Sequence, residues 1–315
     1  MKYNPSKDIP NLSGKVILVT GGTSGIGKAS VLELAKHRPA HIYFTGRNAQ
    51  AAEEVVREAK LGGKDVVVTF IKCDLSDTRE NIRKAFQDQF NSSRLDILIA
   101  NAGVMAVPEG LSVEGFEIQF SCNYVGHAII LQLLRPLMVR TAEAHTDAGV
   151  RLVVLSSFGH TMHPPGGIEF DKLRTPDAGS KWRRYGQSKL ADILLAKSMA
   201  KHYPQITSVS LHPGLVKTQL ANSVDGSLIS GALKLMSWLP LYSSPLEGAY
   251  NALWAATAPK AQIANGAYYD PVGKKEAKKG QSGGMADIAR DADLADRLWQ
   301  WTEEELKGLE ALSFK

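Results

Sequence analysis

Lys15-Val16-Ile17-Leu18-Val19-Thr20-Gly21-Gly22-Thr23-Ser24-Gly25-Ile26-Gly27 decides the fold. Its first half is a continuous apolar run, the pattern of a strand covered on both faces. Its second half is a glycine-rich turn that opens a helix-like stretch from Gly25 to His37. Glycines let a backbone turn tightly and approach a pyrophosphate, which then rests on the helix N-terminus. The spacing G-x-x-x-G-x-G differs from the commoner G-x-G-x-x-G, and a lone glycine cluster is weak evidence. The strand–turn–helix setting is what gives it meaning.

Outward from this unit, strand-like and helix-like runs alternate. His41–Thr45 reads as a second strand and Asn48 to Leu61 as a polar helix ended by Gly62-Gly63. Val66–Lys72 is a third strand, followed by a helix from Ser76 to Phe90 with Ser76 as its N-cap. Leu95–Ala100 is a fourth strand, and the helix after it runs from Ser112 to Val139 with Pro136 in its last turn. Arg151–Ser156 is a fifth strand, Trp182 to Tyr203 a helix, Thr207–His212 a sixth strand and Gly266–Asp270 a seventh. Helices are expected over Ser244–Ala258 and Met285–Leu312. Strict alternation of apolar strands with helices predicts an α/β fold: one doubly wound, Rossmann-like domain over 1–315, with a parallel sheet of about seven strands. Residues 14–218 would form the cofactor-binding and catalytic core. Residues 219–315 would supply a substrate lid after the sixth strand and the C-terminal elements.

The composition fits that picture and removes others. With 44% hydrophobic and 22% charged residues over 315 positions, the chain can bury a sizeable core, and neither disorder nor a fibrous repeat describes it. A net charge of +5 is too weak to argue for nucleic acid and does not repel a phosphorylated ligand. Cys73 and Cys122 make no disulfide framework. The polar N-terminus has no apolar targeting core, and the longest apolar stretch, Leu228 to Tyr242, is interrupted and shorter than the roughly 20 residues of a membrane span. No transmembrane helix and a cytoplasmic location are expected.

The cofactor is read at the end of the second strand. An Asp or Glu about 20 residues past the glycines selects a ribose 2′-hydroxyl, whereas a guanidinium suits a 2′-phosphate. Arg47 stands there, with no Asp or Glu between Glu33 and Glu53. NADP(H) is therefore favoured over NAD(H). Tyr185-Gly-Gln-Ser-Lys189 then places a phenol and an ammonium one helical turn apart on one face. Tyr3-Asn-Pro-Ser-Lys7 repeats the pattern, but in a polar tail with Pro inside it, so no helix is expected there. Position separates the two: Tyr185 follows the fifth strand, and ligands collect at the carboxyl ends of parallel strands.

At this point the chain resembles a short-chain dehydrogenase/reductase. Thr20–Gly27 matches the family's TGxxxGxG turn, Cys73-Asp74-Leu75 its adenine-contacting Asp, and Asn101-Ala102-Gly103 its NAG motif. Asn123, Ser157, Tyr185 and Lys189 match the catalytic tetrad, and Pro213-Gly214 the PG after the sixth strand, with Thr218 contacting the nicotinamide carboxamide. Ser157 is chosen over Ser156 by alignment. The resemblance covers Gly14 to Thr218, with Ala100 in place of the first Asn of NNAG. It implies that Gly21, Thr23, Ser24, Gly25, Ile26, Gly27, Arg47, Asp74, Leu75, Asn101, Ala102, Gly103, Tyr185, Lys189, Pro213, Gly214, Val216 and Thr218 bind the cofactor. Phe158-Gly-His160 and Gly167-Ile-Glu-Phe-Asp171 are similar to the retinol-dehydrogenase-like and protochlorophyllide-reductase-like group. Many fungal members of that group serve secondary metabolism.

The implied reaction moves a hydride from nicotinamide C4 to a carbonyl carbon, with Tyr185 as acid/base. Lys189 favours the tyrosinate by its charge. The resemblance adds that Lys189 holds the nicotinamide ribose and that Asn123 supports a relay water. Ser157 would hydrogen-bond the developing oxyanion. A redox-neutral isomerase, epimerase or lyase on the same fold is the alternative, separated by NADPH consumption; a dinucleotide sensor is a third class, disfavoured because all four tetrad residues are kept. His160-x-x-His163 lacks a third ligand at metal spacing, so no metal is expected. Lys274 to Lys279 is expected to be a solvated basic loop. The apolar segment Leu228–Leu241 can dip into a membrane, cover substrate or complete the core; a substrate lid is favoured. The expected partner is a hydrophobic small molecule, not nucleic acid, and a homo-oligomer is allowed for.

Overall fold

The computed structural model describes residues 3–63, 66–145, 149–216, 243–275 and 284–312. The Lys15 run forms β1, Val16–Val19, with every residue buried. It leads into helix α1, Gly25–Ala35. The order continues as β2 His41–Gly46, α2 Ala49–Gly62, β3 Val67–Lys72, α3 Arg79–Gln89, β4 Ile97–Ala100, α4 Gly126–Ala144 and β5 Arg151–Leu155. Then come α5 Lys181–His202, β6 Thr207–Leu211, α6 Pro245–Thr257, β7 Tyr268–Asp270, β8 Lys274–Lys275 and α7 Ala292–Glu305. The strands form one sheet in the order β3-β2-β1-β4-β5-β6-β7-β8. All neighbours are parallel except β7 and β8. The chain reverses its direction of winding between β1 and β4, and the crevice at that switch is where such sheets take ligands.

Strand alternation divides the core in two. Ile17 and Val19 face α1, α2 and α6, packing with Val31, Leu34, Val55 and Leu253. Val16 and Leu18 face α3, α4, α5 and α7, packing with Phe86, Leu133, Leu194 and Leu298. Each such side chain, taken out of water, contributes about 1.5–3 kcal/mol. That is why the apolar run at Lys15 to Thr20 has to be central rather than at an edge.

Three predicted elements differ. Thr78, not Ser76, caps α3, its side chain accepting from the Asn81 amide. Ser76 is taken instead by Asp74, which accepts from both its amide and its hydroxyl at 3.0 and 2.8 Å. The helix expected over Ser112–Val139 is not continuous: Leu111 and Glu117 form an isolated bridge, Ile118–Phe120 makes a single turn, and Ser121–Val125 is a π-turn before α4. Pro136 therefore lies inside α4, which runs on to Ala144. The Met285–Leu312 helix is split into the 3₁₀ turn Asp287–Arg290 and α7, because Asp291 caps α7 by accepting from the amides of Asp293 and Leu294. An eighth, two-residue strand, β8, contains Lys274 and Lys275 of the expected basic loop. The lid segment from Lys217 to Leu241, with Thr218, lies outside the described residues, as do Lys278 and Lys279. Among the described residues, no helix is long and apolar enough to cross a membrane.

Candidate active site

The glycine turn is tight and leaves its backbone open to close approach. Gly21 and Gly25 adopt φ of +67° and +55°, the left-handed region that favours glycine. A Cβ at Gly27 would collide with the Gly21 carbonyl and the Asn101 side chain. Ser24 occupies the N-cap of α1 without capping it through its side chain, and no acidic residue sits in the first turn. The helix end thus offers backbone N–H groups to an outside anion.

Thr20 ties this turn to the neighbouring strand end. Its Oγ1 accepts from the amides of Asn101 and Ala102, both at 2.9 Å. Asn101 returns its side-chain amide to the Thr20 carbonyl at 2.8 Å. At the ends of β2 and β3, Arg47 and Asp74 approach to 3.7 Å, with the Arg47 side chain 70% exposed. Leu75 is packed against Gly126, where a Cβ would overlap it. On the far side, Gly214 has φ of +92° and Val216 bridges to Ser243.

Two of the tetrad positions, Asn123 and Lys189, meet at Gly103. A Cβ there would lie 3.0 Å from Asn123 Oδ1 and 3.5 Å from Lys189 Nζ. Asn123 sits in the π-turn, a geometry often found at functional sites. Its side chain accepts from the Val104 amide at 2.7 Å and donates to the Val104 carbonyl and Ser188 Oγ at 3.0 and 2.8 Å. Its own carbonyl accepts from His127 Nδ1 at 2.7 Å. His127 Nε2 meets Thr20 Oγ1 at 2.8 Å, so this neutral imidazole joins the π-turn to the glycine turn. Burial holds His127 down to about 4.

Lys189 donates to the Leu155 carbonyl and to Asp192 Oδ2, both at 2.9 Å. Both side chains are buried. Burial pulls the Lys189 ammonium down, but Asp192 and Tyr185 outweigh it and leave it above its ordinary value. Burial pushes the Asp192 carboxyl up to about 7 against the pull of Lys189. Tyr185 is buried on the same helix. The turn after β5 packs directly on its ring: a Cβ on Gly159 would lie 2.5 Å from Tyr185 Cε1. Ser157 begins that turn and accepts from the Gly159 amide at 3.0 Å. Ser156 points the other way, donating to the Lys189 carbonyl at 2.7 Å.

The loop after β4 is anchored from below. Ala106, buried with φ of +50°, donates to Gln119 Oε1 at 2.8 Å. Arg184, fully buried, reaches the Val107 and Gly179 carbonyls and pairs with Glu117 at 3.1 Å.

The second Tyr-x-x-x-Lys match does contain a helical turn, Pro5–Asp8, because Pro5 stands at its first position, where no N–H is needed; Tyr3 precedes it and packs edge-on against Tyr250 of α6. His160 is hydrogen-bonded through both ring nitrogens, and His163 through its Nδ1. Among the described residues no group of three His, Cys, Asp or Glu gathers for a metal. Sequence reading gave no role to His127, Ser188 or Asp192, and took Thr20 only as the first residue of the glycine turn. Each of the first three stands at helical spacing from a tetrad residue, His127 four after Asn123, Ser188 three after Tyr185 and Asp192 three after Lys189, and only that spacing could have revealed them.

The short chain dehydrogenase family model matches residues 15–168. The short-chain dehydrogenase/reductase drtF of Aspergillus calidoustus is 35% identical over 96% of this chain and 97% of its own. Retinol dehydrogenase 12 of Mus musculus is 32% identical over 91% of this chain and 85% of its own. A crystal structure from Mycobacterium paratuberculosis superposes with a TM-score of 0.72 at 26% identity, covering 96% of this chain and 97% of that one. The Pseudomonas aeruginosa RhlG/NADP active-site complex does so with 0.62 at 25% identity, covering 84% and 96%.

Proposed function

The chain belongs to the short-chain dehydrogenase/reductase family, and from that premise we propose that it is an NADP(H)-dependent enzyme interconverting a carbonyl and an alcohol on a bulky hydrophobic small molecule. One observation carries the reading: Asn123 and Lys189 converge on Gly103 while Tyr185 meets the Ser157 turn. All of this lies at the carboxyl ends of β4 and β5, beside the glycine turn.

Gly21, Thr23, Ser24, Gly25, Ile26 and Gly27 would hold the diphosphate, Asp74 and Leu75 the adenosine side, and Arg47 the 2′-phosphate. The nicotinamide half would meet Asn101, Ala102, Gly103, Tyr185, Lys189, Pro213, Gly214, Val216 and Thr218. Bound there, the nicotinamide supplies or accepts the hydride. The chain's own groups do the rest. Ser157 donates a hydrogen bond to the substrate oxygen as charge develops on it. Tyr185 gives that oxygen its proton in reduction and removes it in oxidation. Lys189, held by Leu155 and Asp192, keeps positive charge beside the phenol. Asn123 fixes Val104 and Ser188 on either side of it.

For the cofactor, support comes from Arg47 and from the NADP complex of the RhlG structure. For the substrate, it comes from Phe158, Met162 and Leu215, exposed apolar side chains following β5 and β6, and from the retinol dehydrogenase relative. The test is NADPH consumption across carbonyls graded in size. Catalytic efficiency should climb about fourfold per added methylene, the equivalent of roughly 0.8 kcal/mol. Best turnover on sugars or small keto acids would overturn the substrate class. Product formed without NADPH consumption would overturn the redox reaction.

A further inference from the structure

The peptide bond that follows Ser157 is held at both ends by imidazoles. The Ser157 carbonyl accepts from His160 Nδ1 at 2.6 Å. The Phe158 N–H, at the other end of the same planar unit, donates to His212 Nδ1 at 3.2 Å. Neither Ser157 ψ, at 157°, nor Phe158 φ can rotate without breaking one of these bonds.

Both rings are anchored in turn. His160, buried, accepts from the Ala286 N–H through Nε2 at 2.9 Å and lies edge-on to Tyr268 at 5.3 Å. His212 is held through its backbone, donating to the Tyr269 carbonyl at 3.0 Å and accepting from Asn251 Nδ2 at 2.8 Å. Donor and acceptor roles then fix the tautomers. A carbonyl only accepts, so His160 carries its proton on Nδ1 and leaves Nε2 free to accept from Ala286. His212 accepts at Nδ1, so its proton is on Nε2. Both rings are neutral, and burial holds both down to about 4.

The turn has no slack on its other side. Besides the Gly159 contact with Tyr185, a Cβ on Gly186 would lie 2.5 Å from the Met162 carbonyl carbon. Direct contact thus sets how near the turn lies to α5, and the two imidazoles set its orientation. We propose that His160 and His212 are positioning residues that lock the Ser157–Phe158 peptide and so aim the serine hydroxyl at the oxygen that Tyr185 protonates. The proposal rests on the reading of Ser157 given above.

The experiment follows turnover of decanal with NADPH in a double-mutant cycle. His212→Phe fills the space without an acceptor, and His212→Asn returns an acceptor where Nδ1 was. His212→Phe should lower kcat roughly ten- to a hundredfold, the scale of a small misplacement, with NADPH affinity unchanged. His212→Asn should recover most of the loss. Added to Ser157→Ala, His212→Phe should cost little more, because both act through one hydroxyl. Additive losses, or no rescue by Asn, would overturn the proposal. Full activity in Ser157→Ala alone would instead overturn the reading of the site. Nuclear magnetic resonance of isotope-labelled imidazoles gives a check independent of turnover and of the variants' folding. His160 should be protonated on Nδ1 and His212 on Nε2, and the opposite tautomers would refute the clamp.

Discussion

Replacing Arg47 by Asp should reverse the preference between the two nicotinamide dinucleotides. The guanidinium is 70% exposed and its nearest carboxylate, Asp74, is 3.7 Å away and itself 38% exposed. In bulk water two unit charges about 4 Å apart interact by roughly 1 kcal/mol, and the exposure of this pair puts it near that limit. A 2′-phosphate carries about −1.5 to −2, as other phosphomonoesters do. The gross attraction is then about 1.5–2 kcal/mol, and competition from Asp74 reduces it. We expect a net preference for NADPH over NADH of about 1.4 kcal/mol, or tenfold. Arg47→Asp removes that attraction and sets a second carboxylate beside Asp74. The swing is about twice as large and leaves NADH the tighter ligand. Because the pair is exposed, the wild-type preference should shrink as salt is raised. Calorimetric titration of both cofactors at low and high salt tests this. Equal affinities in the wild type, or a preference unmoved by Arg47→Asp, would refute the reasoning.

Tyr185→Phe should abolish turnover and leave NADPH binding intact, while Tyr3→Phe should change neither; steady-state kinetics with a binding titration reads both. Asp192→Asn should remove an acid limb from the kcat profile. Burial raises the Asp192 carboxyl, so on acidification it should take up its proton early and leave Lys189 without its counter-ion; a limb unchanged in the variant would contradict the role. Stability should fall on acidification from about 6.5 to about 4. The unfolded chain binds protons at His127, His160 and His212 over that range, whereas the folded chain, with all three held near 4, does not; Asp192, whose carboxyl is raised in the folded chain, takes up its proton earlier there and offsets part of the loss. The net loss is on the order of a few kcal/mol, read as a falling urea midpoint, and a midpoint flat over that range would argue against three neutral imidazoles.

Much of the fold was legible because its signals are local. The run from Lys15 to Thr20 needs burial on both faces wherever it lies, and the glycines after it permit only a few turns. Where the reading failed, tertiary contacts overrode a plausible local pattern. Residues 112–139 look helical, but Glu117 is drawn to the buried Arg184, and the chain enters the helix only at Ile118. Ser76 and Thr78 are equally good caps by type, and Asp74 decides between them by holding Ser76. Asp291 is a local signal for the start of α7, but it lies inside an otherwise periodic stretch that masks it. β8 is two residues long, too short to have a period.

The site divides along a different line. The groups proposed to meet substrate or cofactor were legible, since Tyr185 and Lys189 share a helix face and the glycines share a turn. The groups that orient them were mostly not, because their bonds join distant segments. Thr20 and His127 are 107 residues apart, Arg184 and Val107 are 77 apart, and Phe158 and His212 are 54 apart. Pairing of this kind leaves no trace at helical or strand spacing. It is nonetheless required, because each of these polar groups is costly to bury without a partner. The Lys189–Asp192 pair shows the distinction from within a single helix. Its three-residue spacing is visible in the sequence, but such pairs are common on exposed helix faces, where they contribute a few tenths of a kcal/mol. Only burial of both side chains turns the same spacing into a charge fixed beside Tyr185.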